Sequence, residues 1–334
     1  ARVAQALRLP SPISVDAALK ATNKNAMKAA FAATHVPNAP YAFVQRGDTA
    51  QKLRRLQTPL VLKPLDSQGQ RGVFKVNTAE QAVARLDETL SFSRKDTALV
   101  ESFYPSDEVT LSAFMLDGCM VPLTLTDRQL IQDPLHIGIC AAHRYPSIHQ
   151  DQSEEINRIA RLVAQALGVT QGPLYIQFLI GDRGVIVNEA SARIGGAFED
   201  VFIPWVTGFD LLEAVIRLAL GERIAPETLH CRGCRGAGCQ VSVQMPFCRP
   251  GTVASVTPVE TLLALPGVLS AGYNYHKGSV IPATENATAR FGHCVMVTQN
   301  GDMNVRVQTY YQTLRVLDEH GAPMVIPRTF TGKG

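Results

Sequence analysis

The 334-residue sequence has a single tryptophan, no internal repeat and no low-complexity tract; with 46% hydrophobic and 18% charged residues it excludes fibrous and disordered classes. It has no strong charge of either sign. A formal net charge of +3, evenly spread, gives no argument for nucleic acid or a membrane surface as partner. No apolar run approaches the ~18 residues of a transmembrane helix, and the opening ARVAQALRLPSP lacks the apolar stretch of a signal peptide. The chain opens without methionine in a helix-like stretch, which reads as a fragment or a processed form. Neither Gly-Lys-Ser/Thr opening a helix nor G-x-G-x-x-G after a strand is present, so neither a Walker loop nor a dinucleotide fold is expected. Seven cysteines, an odd number, fit a reducing compartment better than a disulfide framework, and a cytoplasmic enzyme is the default expectation.

What is present starts with LVLKPLDSQGQRGVFKV, residues 60–76. Leu60, Val61 and Leu62 read as a buried strand and Val73, Phe74 and Val76 as its partner, joined by a loop longer than a hairpin needs. Gly69 and Gly72 let the backbone turn its N–H groups toward one point while Lys63 aims an ammonium there, an arrangement that can hold phosphate. A glycine-rich surface hairpin with a solvated lysine is the competing reading.

Residues 14–35 read as helical, with Ser14 or Thr22 as N-cap, closing at Val36-Pro37. The expected organisation is a helical lead-in over 1–35, the end of an N-terminal domain; a small α/β lobe over 36–104, with a helix from Thr78 to about Ser93; a larger lobe over 105–225; and a β-rich region of short strands over 226–334. In the larger lobe VTLSAFML and CMVPLTLT read as antiparallel strands, followed by a polar loop through residue 150 and an amphipathic helix from Ser153 to Leu167. PLYIQFLIGDRGVIVNEASARIGG reads as a hairpin turning at Gly181-Asp182-Arg183-Gly184.

That hairpin places Gln177 and Leu179 on one face, with Glu189 able to lie opposite. An amide oxygen and a carboxylate are hard ligands suited to magnesium, whose shell phosphate and water would complete. Ser191 and Arg193 follow, and Asn188 should face away if the strand is regular. Solvated charge at a strand end is the plain alternative. Glu101 and Glu108 flank the next apolar strands in ALVESFYPSDEVTL.

In this order, Lys63, the glycine loop, ESFYPSDEVT and NEASARIGG resemble the ATP-grasp family, and the likeness runs from residue 23 to residue 222. The resemblance implies an α+β fold of two α/β lobes with ATP between them, plus the small C-terminal β-rich region. It implies that Lys24 and Lys63 contact phosphates, with Gly69 and Gly72 in the lid; that Glu101 and the backbone at Ser102 and Phe103 take adenine; that Glu108 holds the ribose; and that Leu179 packs on the base. Gln177 and Glu189 would ligate Mg2+, or Mn2+, and Arg193 would stabilise the transferring phosphoryl group, making Arg193 and Lys63 the catalytic pair. Many relatives carry an acid where Gln177 stands and an asparagine where Ser191 stands; glutamine occurs in the carbamoyl-phosphate-synthetase branch. RIGGAFEDVFIPWVTGFDLLEAV looks most like the amino-acid ligase branch, implying ATP-dependent joining of a carboxylate to an amine through an acyl phosphate. A carbamoyl-phosphate-synthase-like enzyme and a non-catalytic or truncated nucleotide-binding module are the alternatives. The implied partners are ATP and small carboxylate and amine substrates, with a homodimer as the oligomeric expectation.

Three features stand outside this reading. Cys231, Cys234, Cys239 and Cys248 could form a structural zinc site, although one C-x-x-C without a second pair is weak and the last two suit buried strand positions. His143 and Arg144 are substrate candidates in the loop before residue 150. Arg290 could salt-bridge a substrate carboxylate or lie solvated on a strand.

Overall fold

The computed structural model describes residues 1–131, 136–229 and 238–327. Three helices open the chain: α1 (Arg2–Leu7), α2 (Val15–Thr22) and α3 (Lys24–Ala33). Ser14 caps α2 by accepting the Ala17 N–H. Asn23, not Thr22, caps α3, accepting from the N–H groups of Asn25 and Ala26. Thr22 instead ends α2, its hydroxyl donating back to the Ala18 carbonyl.

A four-stranded antiparallel sheet follows, built from β1 (Tyr41–Gln45), β2 (Leu60–Pro64), β3 (Phe74–Val76) and β4 (Thr97–Ser102) in the order β1-β4-β2-β3. The stretch expected as one helix is two, α4 (Ala79–Ala84) capped by Thr78 and α5 (Leu86–Leu90), parted at Arg85 where ψ reaches 4°. Their apolar faces cover Val44, Leu60, Leu62, Phe74 and Val100.

The rest is organised by one eight-stranded antiparallel sheet. Its members appear along the chain as β5 (Asp107–Leu116), β6 (Cys119–Leu130), β7 (Cys140–Tyr145), then after α6 (Ser153–Leu167) as β8 (Gly172–Gly181) and β9 (Gly184–Ser191). Helices α7 (Glu199–Thr207) and α8 (Leu211–Ala219) precede β10 (Gln240–Gln244). Short pieces β11 (Gly251–Thr252), β12 (Ser255–Val256) and α9 (Val259–Leu263) lead to β13 (Val268–Tyr273), β14 (Val280–Ile281), β15 (Gly292–Thr298), α10 (Met303–Thr313) and β16 (Val316–Leu317). The order β13-β15-β10-β7-β6-β5-β8-β9 carries the sheet from the large lobe into the C-terminal region without a break.

Two expectations are corrected here. The segment read as a polar loop contains β7, a central strand of small buried residues that pairs with both β6 and β10. The last region is not strands alone. MNVRVQTYYQT, rich in β-branched and aromatic residues, is helix α10, because Asp302 caps it and Met303, Val307 and Tyr310 recur at helical spacing into the core.

Strand alternation sorts the sheet into two unlike faces. On β5, Val109, Leu111, Ala113 and Met115 join Ile176 and Phe178 of β8 beneath α2, α3 and α6. On the other face Phe114 and Leu116 pack under α7 and α8, but Thr110 and Ser112 bring buried hydroxyls, opposite Thr126 and Thr124 of β6 and Gln177 and Tyr175 of β8. No described helix is long and apolar enough to cross a membrane.

Candidate active site

Val61 of β2 lies opposite Glu101 of β4, so Lys63, two residues on, is Glu101's diagonal neighbour on the same face. The Lys63 ammonium meets the Glu101 carboxylate at 2.6 Å. From α3, Lys28 reaches the other oxygen of Glu101, also at 2.6 Å, and donates to Asn38 Oδ1 at 2.9 Å. One turn earlier on that face, Lys24 donates to the Ser67 carbonyl at 3.1 Å. Three ammonium groups thus converge around one carboxylate that is 4% exposed.

The electrostatics follow from that packing. Burial alone would raise the Glu101 carboxyl, but Lys63 and Lys28 outweigh it and hold it down to about 2. Burial is also the largest influence on Lys63, yet Glu101, Glu189 and Glu108 together leave its ammonium above the ordinary range. Lys24, with less compensation, is lowered by burial. The lysine wall is therefore poised for an anion.

The opposite wall comes from the hairpin β8–β9. Gln177 and Glu189 are direct register partners, although the Gly181–Gly184 turn alone would set Asn188 opposite Gln177. Asn188 does not face away: the register shifts between Gln177 and Phe178, so Asn188 is the extra residue of a bulge and turns toward the site. Its Oδ1 accepts from Lys63 at 2.9 Å, tying the small sheet to the large one. Lys24, Lys28, Lys63, Glu101, Asn188 and Glu189 together wall a cleft of about 550 Å³, counted to its open mouth.

Gln177 Oε1 takes only a 3.4 Å contact from Asn188, and no described side chain donates a hydrogen bond to the Glu189 carboxylate. These oxygens, with the Asn188 amide and Ser191 beside them, fit a cation that keeps phosphate and water in its shell. No described group of three or more histidine, cysteine or acidic side chains is placed to hold a metal alone. Cys231 and Cys234 lie outside the described residues. Cys248 is buried in the C-terminal core, its thiol pushed up to about 12 by burial, which disfavours the thiolate that zinc binds.

The remaining expected residues are distributed around this cleft. Gly69, Gln70 and Gly72 have positive φ, and the loop is pinned where Gly69 accepts the Ala287 N–H at 3.1 Å and Gly72 backs onto Phe92. The segment of that loop on the cleft wall is Asp66 to Gln68, not the glycines. The N–H groups of Ser102 and Phe103 already donate to the Pro40 and Pro59 carbonyls, leaving their carbonyls as the groups able to receive a base. Phe103 also carries the Lys75 ammonium over its ring, 3.8 Å from the centroid. Glu108 is opposite Leu179 and faces Arg128 Nε at 3.4 Å. Arg193 is exposed, bonded to its neighbour's carbonyl at Ile194 and 5.8 Å from the Tyr175 ring centroid. His143 and Arg144 lie on β7 instead of in a loop; His143 is buried and bonded to Thr126 Oγ1 at 3.0 Å. Lys28 and Asn188 were not among the expected residues. Lys28 had a signal, the i, i+4 spacing from Lys24 on an otherwise apolar helix face.

The Gly195-Gly196 turn leads into α7 through Phe198, a non-glycine residue at φ 60° that stacks on His293 with centroids 3.9 Å apart. A Cβ on Gly195 would collide with the Glu199 carboxylate and the Tyr175 ring. Gly195→Ala is expected to destabilise the protein by about 1–3 kcal/mol, whereas Gly196→Ala, with open space, should be near neutral; urea midpoints of the pair test this.

Residues 56–200 match the ATP-grasp domain family, and residues 244–314 match L-amino acid ligase C-terminal domain 2. Residues 56–200 are an ATP-grasp domain. Its ATP-grasp fold, α+β, is shared with an L-amino acid ligase of Bacillus licheniformis: TM-score 0.78 at 18% identity, over 96% of this chain and 77% of that one. The L-arginine-specific L-amino acid ligase of Bacillus subtilis is 23% identical over 318 residues, 91% of this chain and 74% of that protein. An uncharacterised protein of Sinorhizobium fredii is 24% identical over 86% of this chain, which spans only 58% of that relative's length. Lys63, Glu101, Asn188 and Glu189 of the cleft described above fall within the matched residues 56–200, whereas Lys24 and Lys28 precede them.

Proposed function

We propose that this protein is an ATP-dependent carboxylate–amine ligase, which phosphorylates a carboxylate to an acyl phosphate and couples it to an amine, releasing ADP and phosphate. The supporting observation is the Lys63–Asn188 bond, which brings the lysine cluster of one lobe against the Gln177–Glu189 pair of the other. A carboxylate is unreactive toward amines because its leaving group would be oxide; phosphorylation replaces that with phosphate.

In this reading Lys24 and Lys63 bind the transferring phosphates, Glu101 holds both Lys63 and Lys28 in place, and Arg193 swings from its Ile194 contact to the acceptor carboxylate. Gln177 and Glu189 would hold Mg2+, which when bound supplies charge neutralisation at the phosphates. ATP, a small carboxylate and an amine are the partners proposed.

Glu189→Gln is expected to leave nucleotide binding within about threefold and to lower turnover by roughly 100-fold, with a shift toward higher magnesium demand. Nucleotide titration calorimetry together with phosphate release at several magnesium concentrations tests it. Unchanged turnover would remove Glu189 from the site.

A further inference from the structure

The glycine-rich loop that follows Lys63 has its two ends fastened to the small lobe. Asp66 accepts from the Ser93 hydroxyl at 2.6 Å and from the Arg94 N–H at 3.3 Å; the Gly72 carbonyl accepts from Thr89 Oγ1 at 3.2 Å. The middle of the loop is fastened elsewhere. The Ser67 carbonyl accepts from the Lys24 ammonium, and the Gly69 carbonyl accepts the Ala287 N–H at 3.1 Å, from the far end of the chain. Asp66 to Gln68 therefore face the cleft with Lys24 and Lys63, while Gly69, at φ 70°, faces the C-terminal region.

Ala287 opens a single 3-10 turn, Ala287–Ala289, within the matched C-terminal domain. Asn286 caps that turn, its Oδ1 accepting from both the N–H and the hydroxyl of Thr288. Packing then ties the turn to the large sheet. Ala289 is buried with Ile139, Ala141 and Phe247. Arg290 is not a solvated strand arginine: half-buried in the turn before β15, it reaches back to β7 and donates from Nη2 to the Cys140 carbonyl at 3.0 Å. Ala287 thus moves with the large sheet and Gly69 with the small lobe, so their bond spans the two.

Resting on the nucleotide site of the ligase reading, we infer that the Ala287 N–H is a strap that holds this loop over the nucleotide, so that the C-terminal region sets how fast nucleotide leaves. Lys24 is also a proposed phosphate ligand, and an ammonium drawn to phosphate holds the Ser67 carbonyl less. The Gly69–Ala287 bond uses no group that phosphate needs, and it persists in the loaded state. Ala287 does not line the cleft and is a positioning residue. Proline can delete its N–H at little structural cost. The first residue of a helical turn has the φ that proline prefers, and Asn286 before it is extended, at φ −160° and ψ −179°, as suits a residue preceding proline.

The test compares the unsubstituted chain with Ala287→Pro, which lacks the N–H, and Ala287→Gly, which keeps it. One readout is trypsin cleavage after Arg71, exposed on the loop, relative to cleavage after Arg55 outside it. The other is the dissociation rate of a fluorescent ADP analogue with magnesium, chased by excess MgADP. Ala287→Pro should be cut after Arg71 several-fold faster and should release the analogue roughly 3- to 10-fold faster, the loss of one ordinary hydrogen bond. Ala287→Gly should stay within about twofold of the unsubstituted chain on both readouts. If Ala287→Pro does not fold, the pair Gly69→Cys with Ala287→Cys decides, because the 3.9 Å between a Cβ on Gly69 and that of Ala287 is the span of a disulfide. Oxidation should slow release roughly tenfold and reductant should restore it, with Gly69→Cys alone as the control for a side chain at φ 70°. Unchanged release in folded Ala287→Pro, equal acceleration in Ala287→Gly, or release indifferent to the oxidised bridge would each overturn the strap while leaving the ligase reading standing. Failure of the unsubstituted chain to bind the ADP analogue would remove the nucleotide reading and the strap together.

Discussion

Replacing Lys63 with alanine is expected to lower MgATP-dependent phosphate release by roughly 100- to 1000-fold, the usual cost of deleting one preorganised donor at a transferring group. The side chain has two roles that alanine removes together: it presents a cation to the cleft, and it bonds Asn188 across the lobes. Stability should fall by about 1–3 kcal/mol, because the buried Glu101 carboxylate loses one of its hydrogen-bonding cations. Lys28 still pairs with that carboxylate, so the variant should fold. Phosphate release and urea unfolding, measured on one preparation, separate the two effects; full turnover in a folded variant would exclude Lys63 from the chemistry.

Glu101→Gln is expected to have the larger effect on stability. It leaves Lys28 and Lys63, 3% and 15% exposed, without their shared counter-charge, at a cost of about 3–5 kcal/mol. The same carboxylate gives a signature in pH. Its folded value is held down to about 2, against ~4.3 for an unfolded glutamate. Because folding depresses it, the ionised form contributes stability that is fully present above about pH 4.5 and is lost as pH falls toward 2, on the order of 3 kcal/mol across that window. The unsubstituted protein should therefore show a steep fall in urea midpoint between pH 4.5 and 3, and Glu101→Gln a shallower one from a lower start. Parallel profiles would mean that Glu101 is not the paired group.

The parts of this site that were legible in sequence are those fixed by period two. Lys63 at the end of an apolar strand follows from alternation, and the turn at Gly181–Gly184 puts Gln177 and Glu189 on facing strands, although their direct pairing comes from the bulge at Asn188. The ATP-grasp order of motifs carried the fold. What alternation cannot show is a bulge, and the extra residue at Asn188 turned a side chain expected to face away into a bridge between lobes. Nor does it show tertiary pairing. Glu101 was expected at adenine, and its carboxylate is held by two lysines, one of them, Lys28, on a helix from which Lys24 alone was taken as a site residue. Strand β7 escaped notice because Cys140, Ala141 and Ala142 are small and lack the β-branched signature, although they lie fully buried mid-sheet. The hydroxyls of V-T-L-S and L-T-L-T did announce a polar buried face, visible in retrospect from their strict alternation with apolar residues.

The most direct test of carboxylate activation in this cleft follows an oxygen atom. The pool of L-amino acids is supplied with heavy oxygen in the carboxylates, with MgATP, and the released inorganic phosphate is analysed by mass. An acyl phosphate predicts one heavy oxygen in each phosphate formed, because the activated carboxylate oxygen departs with the phosphoryl group when the amine attacks. Phosphate released without label would mean that water, not a carboxylate, accepts the phosphoryl group, and would contradict the ligase account.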